Sequence, residues 1–144
     1  MSHSKQDTNI AVVEAFNRAW AGGDLYGALQ QCTLDMVYML HLDVDVVEHA
    51  GCWVGRDEVR TALSLLRTNF EFERYAATIL GAQGEFVRQH IDWIGIHKAS
   101  GERMTLHFRH VIVVRDSLIF QIEEFHDAAK LRALMSLISS GATG

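Results

Sequence analysis

Histidines and carboxylates recur at close spacing in the second half of this chain. Between Glu85 and Asp127 lie His90, Asp92, His110, Glu124 and His126. Imidazole titrates near neutral pH, and burial can raise a carboxyl toward the same range, so the two side by side suit proton transfer. Four residues are expected to carry the chemistry: Asp92, Glu124, His90 and His110. Glu124 and Asp92 would exchange protons, His90 would orient them, and His110 would donate to a substrate carbonyl or enolate oxygen. Each has a competing structural role. His110 can be a buried histidine satisfied by Glu124, and Asp92 a carboxylate paired with His90 or Arg88. His126 falls at a strand end, hence at the rim. Tyr38 is a further hydrogen-bond donor, and Trp20, Trp53, Phe108 and Ile122 supply apolar wall. His41, His49, His97 and His107 are assigned to the surface or an interface, and Asp127 to a helix cap.

Several histidines and two carboxylates on neighbouring strands also meet a metal's ligand requirements. No compact spacing such as HExxH is present, so neither a metal nor a cofactor is expected. Metal coordination is the alternative. Convergence of three of these side chains to about 2.1 Å from one point would favour it.

The elements that must position these residues follow from the alternation of apolar and polar side chains, the period of a β-strand. Breaks at Lys98-Ala99-Ser100-Gly101 and Arg115-Asp116-Ser117 cut the stretch into strands 86–97, 103–115 and 118–126. Pleat parity places Arg88, His90, Asp92, Ile94 and Ile96 on one face of the first strand. Leu106, Phe108, His110 and Ile112 share a face of the second, and Phe120, Ile122, Glu124 and His126 a face of the third. Hairpins centred on Ser100 and Ser117 would set His90, His110 and Glu124 in one row, with opposite Cβ atoms about 5 Å apart. The other face would present Ile91, Trp93, Val111, Val113 and Phe125. That much apolar surface predicts a homodimer through the outer sheet face.

Upstream, Ile10, Val13, Phe16, Asn17 and Trp20 fall at helical spacing behind Asp7 or Thr8 as cap, and Gly22-Gly23 stop the helix. Asp24 caps a second, short helix. Met36–Leu42 reads as a strand, and 43–53 as a loop over something apolar. A third helix starts at Gly55 with Asp57-Glu58 in its first turn. A strand follows from Phe72 to about Leu80, and Asp127 caps a last helix bearing Leu131, Leu134, Met135 and Ile138. Helices gathered before an antiparallel meander predict an α+β fold, a strongly curved sheet forming a cone around a cavity. One domain is expected over 9–138, with a disordered segment 1–8 and a tail 139–144.

The chain has 144 residues, 49% hydrophobic and 22% charged, with net charge −5. Without a Lys/Arg cluster this argues against nucleic acid and anionic membrane as partners. The absence of a leader-like or spanning segment favours the cytoplasm. Two cysteines, Cys32 and Cys52, make no disulfide framework and are expected to be reduced and buried.

The segments FNRAWAGGDLYGAL, WVGRDEVRTAL and VVRDSLIFQIEEFHD resemble the nuclear transport factor 2-like superfamily, over roughly residues 9–135. That group includes ketosteroid isomerase, limonene-epoxide hydrolase and the SnoaL-like polyketide cyclases. The isomerase pattern implies a tyrosine where this chain has Phe16 and a base aspartate where it has Leu40; its hydrogen-bond-donating acid corresponds to His110. Steroid isomerisation by that route is therefore not implied. The epoxide hydrolase pattern implies that His90-Ile91-Asp92 replaces an Arg-x-Asp pair and that Glu124 replaces the second acid. Tyr38 matches its tyrosine, and Leu40 stands at its water-holding asparagine. The resemblance thus implies a SnoaL-like domain with an apolar pocket. The expected activity is cofactor-free hydrolase, isomerase or cyclase chemistry on a small hydrophobic, oxygen-bearing molecule. The alternative is a non-catalytic ligand-binding or dimerisation module of the same fold.

Overall fold

The computed structural model describes residues 4–143, and the side chains of 4–138. Helix α1 (Lys5–Ala21) starts earlier than the sequence pattern suggests, because Ser4 Oγ accepts the Asp7 amide at 3.1 Å. Of the segment expected to be disordered, residues 1–3 lie outside the described residues, and 5–8 form the first turns of α1. The stripe Val13, Phe16, Asn17 and Trp20 is buried as expected. Helix α2 (Leu25–Leu29) is capped by Asp24, whose carboxylate accepts from Gly27. Strands β1 (Cys32–Leu40) and β2 (Gly51–Val54) form an antiparallel pair. The four-residue β2 is too short to show a period, and it overlaps the end of the stretch expected to be loop. Helix α3 (Arg56–Asn69) buries Val59, Ala62 and Leu63. Strands β3 (Phe70–Gln83), β4 (Phe86–His97), β5 (Arg103–Arg115) and β6 (Leu118–Phe125) then form a meander. Asp127 Oδ1 accepts the Lys130 amide at 3.1 Å, capping α4 as expected. That helix (Ala128–Thr143) continues through residues expected to be a tail.

The curved sheet has the order β2-β1-β6-β5-β4-β3 and does not close. It is α+β, as expected, but mixed rather than wholly antiparallel: β1 runs parallel to β6. Consecutive hairpins make β3–β6 antiparallel, whereas β1 reaches β6 only by a long connection through helices and is free of that constraint.

The register of β4 differs from expectation by one residue, and this moves half the expected site. The β4–β5 turn pairs Ile96 with Arg103, and His97 N–H donates to the Glu102 carbonyl at 2.8 Å. The hairpin therefore centres between Ala99 and Ser100, not on Ser100. A one-residue slip sends every side chain to the opposite face. Val87, Gln89, Ile91 and Trp93 point into the core, while Arg88, His90 and Asp92 point out. Ile91 and Trp93, at 0% and 3% exposure, cannot belong to an outer dimer surface. Val113, 6% exposed, is excluded on the same ground, so of the residues expected there Val111 and Phe125 remain.

The β5–β6 hairpin sets His110 opposite Glu124, as expected, although it centres between Asp116 and Ser117 rather than on Ser117. Its two-residue turn, Asp116-Ser117, has positive φ at both positions (50° and 65°), the twist that suits a tight hairpin. An irregularity between Val113 and Val114 then turns Ile119 inward. Phe120 is therefore not on the Ile122–Glu124 face as expected; it lies under the Arg115 guanidinium at 4.4 Å.

Cys32 is buried, its thiol pushed up to about 12 by that burial, but Cys52 is exposed, contrary to expectation. No described helix is long and apolar enough to cross a membrane.

Candidate functional site

The helices and α4 lie against the concave face of the sheet, and between them is an apolar cavity. Its volume, measured at the centres of water-sized spheres, is about 60 Å³, where one water needs about 10–15 Å³. Phe16 and Trp20 of α1 line one side, with Leu63 and Leu66 of α3. Tyr75, Trp93, Phe108 and Ile122 come from the sheet, and Leu131 and Met135 from α4. Four polar residues interrupt this wall on one side: Tyr38, His110, Glu124 and His126, with His49 nearby from the loop after β1.

Glu124 is the hub. Its Oε1 accepts from Tyr38 Oη at 3.0 Å and from His110 Nε2 at 2.8 Å, while Oε2 accepts from His126 Nε2 at 2.7 Å. Burial pushes this carboxyl up. The hydrogen bonds from His110 and His126 outweigh burial and hold Glu124 well below the usual carboxylate range. It is an ionised anchor. Burial, then the adjacent Glu124 carboxylate, push the Tyr38 phenol well above its ordinary value, so Tyr38 remains a neutral donor. Burial also lowers the His49 imidazole, only partly offset by Glu124.

Behind His110 lies a second tier. Gln89, fully buried, donates from Nε2 to His110 Nδ1 at 2.9 Å. Its amide pairs reciprocally with that of Asn17, at 2.7 and 3.2 Å. With Nδ1 accepting, His110 is the Nε2–H tautomer and donates to Glu124. Both its nitrogens are engaged. His126 differs: the hydrogen bonds of the described residues engage it through Nε2 alone, and its ring stacks on Phe108 at 4.5 Å.

The expected residues thus divide into two groups. Glu124, His110, Tyr38, Trp20, Phe108, Ile122 and His126 meet at the cavity, with His126 inside it rather than at its rim. His90 and Asp92 lie across the sheet on its outer face, so the expected row of His90, His110 and Glu124 does not form. Gln89 takes the place opposite His110, and the match of His90-Ile91-Asp92 to an inward Arg-x-Asp pair fails with it. Trp53 is also absent from the cavity; its indole N–H is tied to the His49 carbonyl at 3.0 Å. Sequence reasoning missed Gln89, Tyr75 and His49. A signal for Gln89 existed: Asn17 sits in an otherwise apolar helical stripe, and a buried amide requires a polar partner.

Comparison with known proteins agrees with this architecture. A nuclear transport factor 2-like protein of unknown function from Burkholderia pseudomallei superposes with TM-score 0.80 at 23% identity, over 94% of this chain and 99% of its own. TerC, co-crystallised with polyporic acid, gives 0.79 at 20% identity, over 90% and 98%. A protein from Mesorhizobium loti, proposed to be a SnoaL-like polyketide cyclase, gives 0.68 at 16% identity, over 81% and 97%. No curated protein matches the sequence. The fold is therefore that of the nuclear transport factor 2-like superfamily. Within it, residues 13–122 match the SnoaL-like domain model, and the chain belongs to that family.

Proposed function

We propose that this protein is a cofactor-free acid–base enzyme that binds a small, apolar, oxygen-bearing molecule in the cavity. The observation that supports it is His126, a cavity-facing imidazole tethered through one nitrogen to a buried, ionised carboxylate. In such a pair the acid orients the ring and stabilises the imidazolium, without itself taking the proton. His126 Nδ1 is then the base that removes a proton from substrate carbon or from water, and the same proton is returned to an oxygen. Glu124 has the orienting role rather than the proton-exchanging one first expected. His110, with both nitrogens engaged, supports Glu124 and does not reach substrate. Asp92 and His90 take no part in the cavity chemistry. Hydrolase, isomerase and cyclase outcomes all fit this arrangement, as do the names carried by structural relatives. The likeness to a protein co-crystallised with polyporic acid makes that compound a rational first ligand. Cytoplasmic location and a homodimer through the outer sheet face, on Val111 and Phe125, complete the proposal.

A non-catalytic binding module is the second reading. It is favoured by the mutual pairing of Tyr38, His110, Gln89 and Asn17, which commits these groups to one another. One experiment separates the two. Trp20 and Trp93 line the cavity, so their fluorescence reports binding of polyporic acid and of a panel of hydrophobic aryl ketones. The bound ketones are then followed in D₂O by proton NMR for loss of the hydrogen next to the carbonyl. The enzyme reading expects exchange in the wild type that disappears in His126→Gln while binding persists. Binding without exchange in any ligand would establish the module.

A further inference from the structure

The outer face of the sheet carries a second polar cluster, which the cavity does not use. His90 and Asp92 stand two residues apart on β4 and so share a face, and His107 on β5 is directly opposite Asp92. Asp92 Oδ1 lies 3.0 Å from His90 Nε2 and 2.5 Å from His107 Nδ1. The two imidazoles stack with centroids 5.8 Å apart and 20° between planes. One donor atom from each residue lies within 4.8 Å of the others.

We propose that His90, Asp92 and His107 form a binding site for a divalent transition-metal ion such as Zn²⁺. Two imidazole nitrogens and a carboxylate oxygen are a donor set for ions of this class. Ligands about 2.1 Å from a tetrahedral ion stand about 3.4 Å from one another. The two spacings to Asp92 are shorter than that and open slightly to admit an ion. The separation between the imidazoles has to close, and the His107 side chain, 53% exposed, is free to move. An ion would replace the protons now held between Asp92 and the two rings. Arg109, opposite His90, is the nearest opposing cation on the paired strand; it is exposed, and solvent screens it. The partly exposed face leaves further coordination positions for water. An ion pair alone would use these residues too, so the test must count ions.

The test uses the full chain, stripped with chelator and titrated with Zn²⁺ by calorimetry and with Co²⁺ by visible absorption. The expected result is one ion per chain and the intense d–d bands of a low-coordinate Co²⁺ site. His107→Ala and His90→Gln should each weaken binding at least about tenfold with unchanged far-UV circular dichroism. Glu124→Gln should bind as the wild type does, which separates this site from the cavity histidines. Absence of saturable binding, or binding that survives both histidine substitutions, would overturn the proposal.

Discussion

Replacing Gln89 by leucine tests the buried polar tier quantitatively. Gln89 is wholly buried and makes three hydrogen bonds, two to Asn17 and one to His110. Leucine fills much of the same volume but orphans Asn17 Nδ2, Asn17 Oδ1 and His110 Nδ1. A buried polar atom left unpaired costs about 1–3 kcal/mol; at the low end for each, Gln89→Leu loses about 3 kcal/mol. With a urea slope of about 2 kcal/mol/M, the unfolding midpoint falls by about 1.5 M at unchanged slope. Asn17→Leu alone orphans Gln89 Oε1, since Gln89 Nε2 still donates to His110, and costs about 1 kcal/mol by the same rule. The double variant replaces the amide pair together and orphans only His110 Nδ1. It should therefore be more stable than the sum of the singles by at least about 2 kcal/mol. Urea unfolding followed by tryptophan fluorescence supplies all four stabilities of the cycle. Additivity within about 0.5 kcal/mol would refute the amide pair as a coupled unit. Nitrogen-15 NMR of His110 gives an independent readout: the Nε2–H tautomer in the wild type, and a mixture once the donor to Nδ1 is gone.

Other predictions follow from the same structure. Glu124 ionises more readily in the folded protein than at its ordinary value of 4.5, so its stabilisation is complete above that pH and is lost as pH falls through the depressed folded value. Wild-type stability should fall below pH 4.5 by up to about 1.4 kcal/mol per pH unit from this group, and Glu124→Gln should lack that component; superimposable slopes would contradict the assignment. A Cβ at Gly95 would sit 2.2 Å from Trp93 Cζ2, so Gly95→Ala must displace the indole. A loss of about 1–3 kcal/mol and a changed near-ultraviolet tryptophan signal are expected, and an unaltered spectrum would disprove the close approach. Phe125 is 42% exposed on the proposed dimer face. Sedimentation should find a dimer that Phe125→Glu splits, and a monomeric wild type rules the dimer out.

Much of the fold could be read from the chain because its signals are local. Helical stripes, the Asp24 and Asp127 caps and the alternation of three long strands each depend on a few neighbouring residues. What escaped depends on distant partners. The parallel pairing of β1 with β6 is decided by where helices deliver the chain, and β2 is too short to carry a period. The α1 start turned on a single serine hydroxyl. The candidate site split for a subtler reason. Glu124 and His110 kept the expected register because the irregularity between Val113 and Val114 offsets the shift of the Asp116-Ser117 turn from its expected centre. The longer turn after His97 admits two, differing by one residue, and the choice between them decides whether His90 or Gln89 meets His110.

Physical chemistry decides that choice, although periodicity does not. Both faces of β4 hold large apolar residues: Val87, Ile91 and Trp93 on one, Ile94 and Ile96 on the other. The register first expected would bury His90 and Asp92 beside His110 and Glu124, gathering two carboxylates in one apolar wall. Each buried ion costs several kcal/mol even after relaxation, and a second carboxylate beside Glu124 adds like-charge repulsion. The observed register buries Gln89 instead, a neutral amide whose polar atoms are met by Asn17 and His110, and adds Trp93 to the core. It leaves His90 and Asp92 where water and His107 can satisfy them. The same slip that keeps His90 and Asp92 out of the cavity thus creates the outward donor cluster. A histidine–carboxylate pair at alternate strand positions should therefore be weighed first for the solvent face, wherever the intervening positions can be buried as neutral groups.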